Sequence, residues 1–347
     1  MRSPQFGGKI TAAWKARYQE SKNWKGGSFK NLVDTQTAVN WRQIPGILCR
    51  QIKGHKEGYP KSPLPVSGLN KEQFIQPSAS SRFAWYGHSV LLMRLNNKTI
   101  LIDPMLGDNA SPIGPIKIRR FSDNTLGIID EMPEIDLMLI THDHYDHLDL
   151  ESISRLKAKV KNVFVALGVK RHLVSWGYDE QIIKEFDWWD SEVFEEIYIT
   201  FTPTRHFSGR GITSMAKCLW GGWALKTAGE NIWISGDSGY ADHFQEIGKR
   251  LGPFDIGFME CGQYCVDWPQ IHMFPEESVQ AALEARVRLA MPVHWAGFNL
   301  SYQHSWYDPA ESFAKHARGL SLPYITPGLG QIFQLNTATD NWWQKHK

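Results

Sequence analysis

Four cysteines, Cys49, Cys218, Cys261 and Cys265, are too few and too irregularly spaced in 347 residues to frame a fold with disulfides. A stapled secreted scaffold is excluded, and a reducing, cytoplasmic compartment is expected. Cys261 and Cys265 lack the two-residue separation of a zinc knuckle and read as small buried thiols near a strand end. No apolar run reaches the roughly 18 residues that span a bilayer, and Met1 to Ile10 lacks the apolar stretch of a secretion signal. No glycine-rich loop opens a strand–helix–strand unit, which argues against a flavin-binding domain. There is no repeat of fixed period.

Hydrophobic residues at 42% and charged residues at 21% suffice for one large α/β core. The net charge of +2 hides an asymmetry. Residues 1–80 hold 13 Lys and Arg against 4 Asp and Glu, and the remainder is net acidic. The acidic remainder offers no basic track, so no nucleic-acid partner is expected. The basic segment can lean on an anionic lipid surface, at about 1 kcal/mol per well-placed charge, or simply wrap the acidic core.

From Met1 to about Ser81 no helical or alternating period persists, and residues 1–81 read as an irregular arm wrapping the core. Residues 82–347 form the second unit. Strands are predicted at Arg82 to Trp85, Ser89 to Leu95 and Thr99 to Ile102, with a turn at Asn96 and Asn97. Apolar runs at Leu137 to Ile140, Val163 to Leu167, Tyr198 to Phe201, Trp223 to Leu225, Ile232 to Ile234 and Ile256 to Met259 alternate with helical patterns. The helices are expected at Leu150 to Lys159, Val169 to Trp176, His243 to Leu251 and Pro275 to Ala285.

Chemistry concentrates in Thr141-His142-Asp143-His144-Tyr145-Asp146-His147, between a buried strand and a helix. His142 and His144 are two apart, so in an extended strand end both imidazoles face one ion. Asp146 and His147, where the chain turns, can face a second. One such histidine alone would read as a core or surface residue; burying all of them together without metal would strand several polar groups.

This segment resembles the His-x-His-x-Asp-His signature of the metallo-β-lactamase superfamily, and further ligands follow in the expected order: His206 in Thr204 to Ser208, Asp237 after Ile232 to Gly236, and His294 after Met291 to Val293. The resemblance implies an α/β fold, an αββα sandwich of the metallo-β-lactamase type, with two divalent metal ions. His142, His144 and His206 would hold one ion, Asp146, His147 and His294 the other, and Asp237 both. Zinc is the default, with iron, manganese or nickel also suited to imidazole and carboxylate. Aspartate rather than cysteine at 237 argues for a bridged dinuclear centre, which offers hydroxide at neutral pH and positive charge for the developing oxyanion.

Three further stretches resemble one family, the N-acylphosphatidylethanolamine-hydrolysing phospholipase D proteins and their bacterial relatives. They are Trp85 to Ser89 with Leu101 to Pro104, Gly236 to Tyr240, and His272 to Glu277 leading to His294-Trp295. That resemblance implies a phosphodiesterase acting on a phospholipid, with Tyr145 and His272 near the head group. Asp146 and His272 are the expected catalytic residues, and Tyr145 and His272 the substrate-binding ones. The alternative is a lactone, thioester or other carboxylic ester hydrolase, since carbonyl attack uses the same centre. His88 and Asp103 are expected to support the metal site from behind. Trp188, Trp189, Trp220, Trp223 and Trp268 are candidates for an acyl-chain groove, although most of 15 tryptophans must pack the core. His172, His243, His304 and His316 lack ligand context.

Overall fold

The computed structural model describes residues 3–37, 44–113 and 117–347. Residues 1–2 and 38–43 of the expected arm lie outside the described residues. The arm is less irregular than its lack of period suggests. A helix spans Ala12–Gln19, and Thr11 caps it by accepting from the Trp14 N–H. A hairpin follows, β1 (Trp24–Lys25) and β2 (Ser28–Phe29), then helices Ile44–Lys53 and Lys71–Ile75. These elements are short enough to hide from a periodicity test. They are held by tertiary contacts: Tyr18 and Phe29 are buried, with Trp24 5.6 Å and 4.9 Å from their rings respectively.

The remaining strands are β3 (Arg82–Trp85), β4 (Leu91–Leu95), β5 (Lys98–Ile102), β6 (Leu137–Ile140), β7 (Val163–Ala166), β8 (Ile183–Phe186), β9 (Ser191–Phe194), β10 (Ile197–Thr202), β11 (Gly222–Lys226), β12 (Asn231–Ile234), β13 (Ile256–Glu260), β14 (Ala290–Val293) and β15 (Ile332–Phe333). They form a seven-stranded sheet, β15-β3-β4-β5-β6-β7-β8, and a six-stranded sheet, β14-β13-β12-β11-β10-β9. Asn96 and Asn97 take positive φ between β4 and β5, the backbone a two-residue hairpin turn demands.

Period-two alternation sorts the six-stranded sheet's side chains. Ile232 and Ile234 belong to the core shared with the other sheet, while Trp233 packs outward on Phe244 and Phe254. Phe83 meets Phe258 at 5.4 Å, and Phe186 meets Trp223 at 5.2 Å, so the two sheets face each other. Helices His243–Arg250, Pro275–Glu284 and Asp308–Gly319 cover the outer face of the six-stranded sheet, burying Ile247, Val279 and Phe313. Ile153 and Leu156 of helix Leu150–Leu156 and Leu173 of helix Lys170–Ser175 are buried with the seven-stranded sheet's apolar residues. This is the expected αββα sandwich. Each buried large side chain contributes roughly 1.5–3 kcal/mol over its exposed state.

Strands β8, β9 and β15 and the helix Asp308–Gly319 go beyond the sequence expectation. The run Met291 to Val293 before His294 lies in β14, where Pro292 is tolerated because β14 is a sheet edge. Strand direction places the site. β10 and β12 are both antiparallel to β11, and β13 and β14 run parallel to β12, so all four end on the same side. No helix among the described residues is long and apolar enough to cross a membrane.

Candidate metal centre

The loops leaving β6, β10, β12 and β14 bring together every residue the sequence nominated as a ligand. His142 Nε2 lies 2.8 Å from His144 Nδ1, which lies 3.2 Å from His206 Nε2. Asp237 Oδ2 stands 3.9 Å from His142 and 3.6 Å from His206. On its other side the same carboxylate meets His147 Nε2 at 3.2 Å and, through Oδ1, His294 Nε2 at 3.0 Å. Asp146 Oδ2 is 3.8 Å from His147 Nε2. Two groups of donors thus share Asp237, each compact enough for one ion.

Local backbone explains the delivery. Gly236 holds φ +66°, and a Cβ there would stand 2.3 Å from the Gly221 carbonyl, so the turn that presents Asp237 requires glycine. His294 and His88 both take left-handed backbone, at φ 67° and 53°. They fix each other: His294 N–H donates to the His88 carbonyl at 3.0 Å, and His88 N–H to the Trp295 carbonyl at 2.8 Å. Such strain, of order 1–3 kcal/mol per residue, persists only where surrounding contacts impose it.

Behind the candidate ligands, His88 and Asp103 stand where the sequence places supporting groups. His88 Nε2 is 2.9 Å from Asp146 Oδ2. Asp103 accepts from the Thr141 N–H at 2.8 Å and hydroxyl at 2.6 Å, and its Oδ2 holds His147 Nδ1 at 2.8 Å. His206 Nδ1 donates to the Ile271 carbonyl at 2.9 Å, which leaves Nε2 free to face Asp237. Burial and the neighbouring imidazoles push His142 and His206 well below the ordinary histidine range. His147 goes the other way despite burial, because Asp237, Asp146 and Asp103 surround it with negative charge. Burial lowers His88 to about 4, so it stands neutral.

Whether these residues fit metal ions can be tested on their polar atoms. His147 Nε2 and Asp237 Oδ1 are buried and make no hydrogen bond of acceptable geometry. Buried polar atoms left this way cost about 1–3 kcal/mol each, and cations on either side of Asp237 would remove that cost. The cluster is suited to binding metal ions.

A cleft of about 310 Å³ opens on this cluster, with His144, Asp146, His206 and Asp237 on its floor and Trp268, Pro269, Ile271, Phe207 and Leu300 on its walls. His272 lines it too, with its ring 5.0 Å from that of His206 and Nδ1 3.1 Å from Glu260 Oε1. Burial opposes a charge on His272, yet the Glu260 hydrogen bond and field, with Asp237 and Asp146, raise it above the ordinary value. Glu260 went unnoticed in the sequence. It is fully buried at the end of β13 and also accepts from the Met273 N–H at 2.9 Å, and its isolation from any motif gave no signal.

Tyr145 is not among the cleft's lining residues. Its hydroxyl donates to the Arg210 carbonyl at 2.6 Å, and the Arg210 guanidinium stacks 4.0 Å from its ring centre. Of the five tryptophans considered for a groove, Trp268 lines the cleft, Trp188, Trp220 and Trp223 are buried in the core, and Trp189 packs half-buried against it. His172, without ligand context in sequence, sits in a buried cluster with Asp143 and Cys218. The arm also reaches the site, because Gln36 and Thr37 line the cleft.

Several known proteins are similar to this chain. An uncharacterized protein of Mycobacterium tuberculosis is 33% identical over 336 residues, covering 95% of this chain and 88% of the relative. The N-acyl-phosphatidylethanolamine-hydrolyzing phospholipase D 1 of Caenorhabditis elegans is 28% identical over 333 residues, covering 88% of this chain and 92% of the relative. Among solved structures, Igni18, a metallo hydrolase from the archaeon Ignicoccus hospitalis, shares the fold with a TM-score of 0.57 at 20% identity, over 75% of this chain and all of the other. The family model for the beta-lactamase superfamily domain matches residues 98–295, which span the whole ligand set. The chain therefore belongs to the metallo-β-lactamase superfamily and is a metal-dependent hydrolase within it.

Proposed function

We propose that the protein is a dinuclear phosphodiesterase of the phospholipase D type, acting on N-acylphosphatidylethanolamine-like lipids. The observation that carries this reading is the cleft, which joins the shared Asp237 carboxylate to His272 beside the apolar side chains of Trp268, Pro269 and Ile271. His142, His144 and His206 would hold one ion and Asp146, His147 and His294 the other, with Asp237 shared between them. Two bound divalent ions, zinc by default, would acidify a water and offset the charge gathering on the phosphoryl oxygens. The similarity to the C. elegans phospholipase D supports the substrate class.

The chain's own residues supply the rest. Glu260 fixes His272 through Nδ1, so Nε2 is the atom that donates a proton to the departing ethanolamide oxygen or holds a phosphoryl oxygen. Asp146, held by His88, orients the second group of donors beside the reacting phosphorus. Trp268, Ile271 and Leu300 exclude water and accept the acyl chain. Tyr145 acts on the head group indirectly, through the Arg210 loop. The arm's exposed Lys9, Lys15, Lys22, Lys25 and Lys30 serve peripheral contact with an anionic membrane. Co-sedimentation with anionic vesicles checks that contact, and binding indifferent to lipid charge would remove it.

Incubating the metal-loaded protein with an N-acylated phosphatidylethanolamine should release phosphatidic acid and N-acylethanolamine; neither product means the reading fails. One observation favours the second reading, a carboxylic ester, lactone or thioester: the described residues lining the cleft include no Lys or Arg to hold a phosphate. Turnover of a lactone or thioester in a panel where the phosphodiester is inert would decide for it.

A further inference from the structure

We infer that Asn31, in the N-terminal arm, is a positioning residue for the metal centre, holding the backbone of His206 in place. His206 lies in the loop after β10, where sheet pairing no longer satisfies its N–H and carbonyl. Such groups need partners once shielded from water. Asn31 supplies both: its Oδ1 accepts from the His206 N–H at 3.1 Å, and its Nδ2 donates to the His206 carbonyl at 2.8 Å. The same Oδ1 accepts from Trp220 Nε1 at 3.0 Å, which fixes the carboxamide against a buried indole.

The consequence is a fully constrained imidazole. Asn31 fixes the backbone at two points, and the Ile271 carbonyl fixes the ring through Nδ1. Nε2 is then left facing His144 at 3.2 Å and Asp237 at 3.6 Å. Without the carboxamide the loop can move while the Nδ1 hydrogen bond to Ile271 remains, and a shift of a few tenths of an ångström matters at ligand distances.

Asn31 is itself held on both sides. Before it, Phe29 is buried and its N–H donates to the Ala216 carbonyl at 2.9 Å. After it, Arg205 Nε donates to the Thr35 hydroxyl at 3.0 Å and its Nη2 to the Asp34 carbonyl at 3.1 Å. A segment tethered so closely transmits position. Asn31 also lies outside residues 98–295, the span matched by the family model, so this part of the centre's support comes from the arm.

The inference rests on His206 being a ligand, and the test keeps the two apart. The parent protein and the variants Asn31→Ala, Asn31→Asp, Thr35→Ala and His206→Ala are titrated with a chelator while bound metal is measured, and each is loaded with cobalt(II) for its visible spectrum. Asn31→Ala should release metal at about 10- to 100-fold lower chelator concentration, the usual cost of losing a group that orients a ligand, with an altered cobalt spectrum. Asn31→Asp keeps the acceptor and loses the donor, so it should fall between Asn31→Ala and the parent. It also carries the test should Asn31→Ala not fold. Thr35→Ala removes one tether of the segment but leaves both Asn31 bonds to His206 in place, so it should lose less metal than Asn31→Asp. Parental metal retention and cobalt spectrum in Asn31→Asp, or in a folded Asn31→Ala, would overturn the inference. His206→Ala should lose one ion; retention of both would remove the ligand reading and this inference with it.

Discussion

Two buried clusters of potential metal ligands lie side by side in this molecule, and they differ in how their polar atoms are satisfied. In the first, around Asp237, donor atoms converge on a cleft, and His147 Nε2 and Asp237 Oδ1 lack hydrogen bonds. In the second, Asp143, His172 and Cys218 stand 3.1 to 3.6 Å apart, as compact as any metal site. Yet the protein answers each of their polar atoms. Gly209 N–H donates to Asp143 Oδ1 at 2.7 Å, Gly8 N–H to His172 Nδ1 at 3.1 Å, and Arg171 Nη1 to Cys218 Sγ at 3.0 Å. A guanidinium against the sulfur repels a cation. Unsatisfied convergence on solvent, not composition, distinguishes a site for an ion from a structural network.

The sharpest way to break this comparison is Asp237→Asn. An amide brings no negative charge, so metal content and turnover should fall together, turnover by more than the roughly 10- to 100-fold typical of losing an outer partner. Full metal occupancy with near-normal turnover would show that Asp237 does not bridge. His272→Ala should keep its metals by elemental analysis and lose about 10²-fold in kcat. Glu260→Gln leaves His272 in place but weakens its hold, so a loss nearer 10-fold in kcat is expected, with metal unchanged. The smallest effect belongs to the second cluster. Cys218→Ala should cost about 1–2 kcal/mol in denaturant unfolding and leave metal stoichiometry untouched. Loss of a bound ion from that variant would place both clusters in one class.

The candidate ligands were legible in the sequence because His142 to His147 pack four of them into six residues at a strand end, and because His206, Asp237 and His294 each follow an apolar run. Strands β6, β12 and β13 were legible as short continuous apolar runs, and each is buried along its whole length. Glu260 was not, since a lone glutamate at a strand end has the signature of any exposed carboxylate until its burial is known. Asn31 was hidden more deeply: its role depends on a backbone 175 residues away, and no local pattern encodes that separation. The capped helix Ala12–Gln19 fell below the length at which period is measurable.

That separation also bears on how the protein is made. Asn31 leaves the ribosome before its partner His206, which follows 175 residues later, and His294 comes later still, so the arm must wait while the sandwich is built. A centre drawn from so many distant loops does not assemble piecemeal. Taking up its ions would therefore report that arm and sandwich have both reached their final arrangement, and a chain stalled before β14 would carry an arm with its anchor loop present and its metal centre one histidine short.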